Sequence, residues 1–137
     1  MDSEYLVDWN DFARTRAELG ADFIRILGYF REDGEKAIGR IEDAMRRRDT
    51  AALVIPAHTL KSEARQFGAH PVGDLAEEIE HEARRALESR LFPDHILPQV
   101  AALRPLYQRL QELLEAETNP RVTRRAAGGS AASFGRC

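Results

Sequence analysis

The stretch AHTLKSEARQFGA, residues 57–69, sets the reading of the whole chain. Placed on a helix at roughly 100° per residue, Leu53, Ala57, Leu60, Ala64 and Phe67 gather on one side. His58, Lys61, Ser62 and Arg65 gather on the opposite side, with the spacing of one helix face. Such a helix turns an apolar stripe to a core and shows water an imidazole flanked by cations. A histidine not needed inside is available for chemistry, although a lone exposed histidine is also an ordinary surface residue. Ala51, Val54 and Ile55 project near His58, away from the core stripe. Apolar residues exposed beside a reactive group suggest a docking surface. The alternative is that Pro56, which lacks an N–H and crowds the preceding turn, shifts the helix phase and buries them.

The neighbouring segments share this helical period. Asp8 is placed to cap a short helix through Leu19, with Trp9, Phe12 and Leu19 as apolar anchors and Gly20 as a stop; residues 1–7 read as a loose lead-in. From Asp22, apolar residues recur at helical spacing from Phe23 to Ala44, and Arg46 to Arg48 suit the negative end of the helix dipole. Gly28, Gly34 and Gly39 weaken this run by up to about 1 kcal/mol each, so it is open to a break or bend. Asp49 or Thr50 caps the helix that carries His58, and Gly68 ends it. Pro71 opens the next helix, whose core stripe is Val72, Leu75, Ile79, Ala83 and Ala86, with Glu77, Glu78, Glu80 and Glu82 on its wetter faces. A proline-bearing turn at residues 92–98 leads to a last helix through Thr118, with Pro105 as a possible kink. No strand pattern or repeat is present. The expected fold is all-α: an up-and-down four-helix bundle with a short extra N-terminal helix, over residues 1–118. Residues 119–137 lack an apolar period and are expected to form a disordered basic tail.

Composition narrows the function. With 137 residues, 43% apolar and 31% charged, the chain has the make-up of one globular domain. No apolar run approaches the ~20 residues of a membrane span, and no signal segment opens the chain, so a cytoplasmic location is the default expectation. The single cysteine, Cys137, allows no internal disulfide. Residues 1–118 carry 16 basic and 23 acidic side chains, a charge of −7, and the tail's four arginines bring the total to −3. So acidic a body argues against nucleic acid as the main partner. Only Lys36 and Lys61 of the 20 basic residues are lysines, and one of them stands three residues from His58.

His58-Thr59-Leu60-Lys61, a small residue at Ser62, and Phe67-Gly68-Ala69 together resemble the signature of histidine-containing phosphotransfer (HPt) domains, of the stand-alone bacterial type. That family usually has Gly after the Lys, where this chain has Ser62, and Pro56 is a second departure. The resemblance covers roughly residues 8–116 and includes Leu75, Ile79 and Glu80. It implies a carrier in a two-component phosphorelay, in which His58 accepts a phosphoryl group from a receiver domain's phospho-aspartate and passes it to another receiver. Neutral imidazole is a competent nucleophile near pH 7. Phosphoryl transfer has a loose transition state, so positioning and charge are what a protein supplies. Lys61, one turn from His58, is placed to reach the phosphoryl oxygens. Ser62 leaves room for a closing partner, and Arg65 reaches either the phosphoryl group or an acidic rim on that partner. Ala51, Val54 and Ile55 complete the expected docking surface.

With no Walker loop and no acidic cluster at a strand end, kinase activity is not expected of the chain. No cofactor is expected to be bound here, and Mg2+ would belong to the receiver. Two other classes compete: a helical interaction or dimerisation module that kept the fold without accepting phosphate, and a metal-binding bundle. The second rests on His81 with Glu77 one turn before it, a weak pair on a charged helix, so no metal site is expected.

Overall fold

Among the described residues the chain forms six α-helices: α1 (Ser3–Leu6), α2 (Trp9–Leu19), α3 (Phe23–Arg47), α4 (Ala51–Gln66), α5 (His70–Glu88) and α6 (Leu97–Thr118). In this computed structural model residues 3–119 are described, and among them there is no strand. Residues 120–137, nearly all of the expected tail, lie outside the described residues. Asn119 still closes α6, its N–H donating to Glu115 O at 2.9 Å. The four long helices run up and down, with α4 packed against α3 and α5, and α6 against α5 and α3. No helix is long and apolar enough to cross a membrane among the described residues.

Each turn is set by local chemistry. Asp8 caps α2 by accepting from the N–H groups of Asn10 (3.0 Å) and Asp11 (3.2 Å). α3 stays one helix for all 25 residues despite its three glycines. Gly34 is there for packing: the Tyr107 hydroxyl donates to Phe30 O at 2.8 Å, and a Cβ on Gly34 would lie 2.0 Å from that hydroxyl. α3 ends at Arg48, in the left-handed conformation at φ 54°, with its N–H returned to the last turn. Asp49, not the Thr50 side chain, caps α4, accepting from Ala52 N–H at 3.2 Å. Thr50 Oγ1 instead donates to Leu91 O at 3.1 Å and ties this turn to the one before α6.

The far end of α4 is held more firmly. Phe67 is buried in a run of rings from Phe12 through Phe23 and Phe30 to Tyr107, with neighbouring centroids 5.3–6.1 Å apart. Gly68 has φ 78°, and a Cβ there would come within 2.6 Å of Asp8 O. Its carbonyl accepts from Asp8 N–H at 2.8 Å, which docks α2 beneath α4. The N-terminus corrects the expected lead-in, since Leu6 and Val7 are buried members of the core. Two consecutive apolar residues before a helix carry no periodicity, so only the packing reveals them. Trp9, by contrast, is partly exposed and lies edge-on to Phe12.

Candidate functional site

α4 crosses the middle of one side of the bundle, and His58 sits in its second turn with its side chain half exposed. The ring is not free. His58 Nδ1 lies 3.0 Å from Glu80 Oε2, across the seam with α5. Among the described residues Glu80 is one of two buried polar or charged ones, and it gathers cations. Lys61 Nζ stands 2.9 Å from its other oxygen, Oε1, while Arg84 donates from Nε at 2.9 Å and approaches with its terminal nitrogen at 2.8 Å. Burial pushes the Glu80 carboxyl up, but Lys61, Arg84 and His58 together outweigh that and bring it down to about 2.

The ring's protonation follows. An ionised carboxylate only accepts hydrogen bonds, so the nitrogen facing Glu80 carries the proton. In the neutral ring this is the Nδ1–H tautomer, which leaves the Nε2 lone pair on the ring's other side. Glu80 thus fixes both ring orientation and tautomer, as a carboxylate does behind many reactive histidines. By its charge and its acidic neighbours, Glu80 is expected on a wetter face of α5. Its burial was nevertheless written in the pattern: Gly73, Ala76 and Ala83 stand seven and four residues before it and three after, a stripe of small residues on the same side of α5. Arg84, one turn on, is the second residue that reading missed.

The other expected site residues divide. Ala51, Ile55 and Ser62 are exposed on the His58 face. Arg65 is on that side of α4, but its guanidinium is held by Asp74 (2.9 Å) and Glu77 of α5, away from the imidazole. Val54 corrects the expectation: it is buried, with 6% of its surface exposed. Its azimuth nearly matches that of Lys61, seven residues later, and both point at α5. Because α4 is covered by α3 on one side and α5 on the other, the buried arc is wider than a one-sided stripe. Pro56 is buried as well and α4 runs on through it, so the helix phase is unbroken. His70 hydrogen-bonds Asp11 at 2.7 Å and His95 hydrogen-bonds Glu82 at 2.7 Å, both outside the cluster around Glu80. Among the described residues, Asp8, Asp11 and His70 could bring ligand atoms together; His81 and Glu77 belong to no such group.

A bundle that carries one half-exposed histidine on its central helix, backed by a lysine and a buried carboxylate, has the form of a phosphotransfer domain. Residues 25–119 match the family model for the Hpt domain, and the chain belongs to that family. Its backbone is similar to the crystal structure of histidine-containing phosphotransfer protein B (HptB) from Pseudomonas aeruginosa PAO1, with a TM-score of 0.56. The two share 21% identity over 78% of this chain and 95% of that one, a likeness of fold. Comparison with curated proteins gave no match.

Proposed function

We propose that the chain is a phosphorelay carrier in which His58 Nε2 takes a phosphoryl group from the aspartyl phosphate of one receiver domain and gives it to another. In the first step the Nε2 lone pair forms a bond to phosphorus as the bond from phosphorus to the aspartate oxygen breaks, returning that aspartate to a free carboxylate. The ring gains positive charge while Nδ1 keeps its proton. Glu80, held ionised, accepts that Nδ1–H and offsets the growing charge. Lys61, which lies beside the same carboxylate, meets the phosphoryl oxygens, and Ala51, Ile55 and Ser62 on the His58 face are the surface a receiver covers. Magnesium is the receiver's contribution, and a cytoplasmic setting fits partners of this kind. The observation that carries the reading is the His58 to Glu80 contact of 3.0 Å between a half-exposed ring and a buried, cation-surrounded carboxylate.

The test uses the full chain and receivers charged with acetyl phosphate and Mg2+, then freed of excess donor. The chain should take phosphate from a charged receiver, take none from ATP alone, and deliver it to a second, uncharged receiver. Uptake from ATP alone would contradict the carrier role. Binding to receivers without uptake from any of them would favour the interaction module.

A further inference from the structure

We propose that Lys36 and Arg40, on the α3 edge beside His58, select which receiver docks, and that they fit an acidic edge of the receiver lying next to an apolar side chain. The inference rests on the relay reading above and names its partner's chemistry. Cations of this bundle are mostly neutralised from within: Arg31 by Glu115, Arg47 by Asp43, Arg104 by Glu35 and Glu42. On the α5 side of His58 the same holds, where Glu80, Glu77 and Asp74 occupy Lys61, Arg84 and Arg65. Among the described residues Arg16, Lys36, Arg40, Arg90 and Arg109 are the cations outside such pairs, and of these Lys36 and Arg40 are the two that stand side by side. Both are exposed, they stand one turn apart on the same face of α3, and neither forms an ion pair among the described residues. In a body with seven more acidic than basic side chains, two unpaired neighbouring cations are out of keeping.

Their position gives the occupant. Lys36 and Arg40 line a groove of about 210 Å³ whose other wall is Ile55, Pro56 and Thr59 of α4. Thr59 adjoins His58 in sequence, and Ile55, one turn before it, has 67% of its surface exposed. A receiver that closes over His58 therefore covers this groove. An apolar side chain of the receiver is desolvated on Ile55 while its carboxylates meet the two cations, an arrangement that speeds encounter and rejects partners with a basic edge. Asp33 lines the groove one turn below Lys36 and sets its acidic limit.

The experiment compares Lys36→Glu/Arg40→Glu with wild type and with Arg109→Glu, a charge reversal at an exposed position on α6. Two donors are used: phosphoramidate, a small donor that phosphorylates histidine without docking, and a panel of charged receivers. Both variants should take label from phosphoramidate as wild type does. From receivers at low salt, the double variant should be slower by about 10-fold or more in kcat/KM, with Arg109→Glu unchanged. The gap should narrow as salt rises toward about 1 M, where exposed charges are screened beyond a few ångströms. Equal receiver-driven rates for the double variant and wild type would overturn the proposal, as would an equal loss in Arg109→Glu, which would mean net charge alone matters. A wild-type dimer dispersed by the double substitution would assign the groove to a second copy and overturn it too. Labelling by phosphoramidate with none from any receiver that binds would instead overturn the relay reading beneath it.

Discussion

Two carboxylates border α4, one on each side, and they are treated in opposite ways. On the α5 side Glu80 is buried among Lys61, Arg84 and His58, and its carboxyl is brought down to about 2. On the α3 side Glu63 is partly buried and its carboxyl faces that of Asp33. Burial pushes Glu63 up to about 7, and the neighbouring Asp33 carboxylate pushes the same way. Burial raises both, so the difference lies in the partners. A carboxylate surrounded by cations is a fixed negative charge that can hold a proton on a neighbouring ring. A carboxylate beside another carboxylate is a weak acid that does nothing for His58. On the proposed function, the α5 seam is therefore the flank that serves His58, and the α3 seam is left for packing and for the proposed docking.

The comparison is broken most severely at Glu80. Glu80→Ala should slow receiver-to-His58 transfer by about 100-fold, the scale of a reacting group let loose from its orientation, in stopped-flow or single-turnover labelling. A rate within twofold of wild type would mean that Glu80 is a structural residue only. Val54 and Ile55, adjacent in sequence, should part company next. Val54→Glu forces a carboxylate into the α5 seam with no cation prepared for it and should cost about 3 kcal/mol or more of stability by denaturant unfolding. Ile55→Glu should leave unfolding nearly unchanged and weaken transfer from a receiver. Lys61→Ala removes one charge but neither the nucleophile nor its anchor, so transfer should fall by about 10-fold, roughly 1.4 kcal/mol, and product should remain detectable.

The two carboxylates also predict opposite pH behaviour, the smallest of these effects. Glu80 has a lowered folded value, so its contribution is present above about 4.5 and is lost as pH falls toward 2. Glu63 has a raised folded value, so the protein loses stability as pH climbs from about 4.5 through 7. Glu63→Gln should remove that second slope, giving a melting temperature above wild type at pH 8 by a few degrees, on the order of what a small stability change produces in a domain this size. The two proteins should converge near pH 4.5. A melting difference that does not vary with pH would place the effect elsewhere.

Much of this was legible in the residues. The 3.6-residue period of α3 to α6 and the caps at Asp8 and Gly68 gave the bundle, because those signals are local. That His58 and Lys61 share one face of α4 was legible for the same reason, since they stand one turn apart on one helix. What was not legible depends on which helix lies beside which. Glu80 is assigned by α5 crossing α4 at the height of His58, and its stripe of small neighbours was a signal only for a reader who weighed alanines as core. Val54 is buried because two helices cover α4, which the azimuth of one helix does not reveal. Leu6 and Val7 join the core through tertiary contact alone.

The proposed relay stands on His58 as the phosphoryl acceptor. A receiver charged with 32P is mixed with full-length wild type or His58→Gln, and the phosphorylated peptide is located by mass spectrometry. Wild type should carry an acid-labile, base-stable phosphoryl group on the peptide containing His58, and a His58→Gln protein that melts like wild type should carry no label. Label that persists on His58→Gln, at His70, His81 or His95, would contradict it.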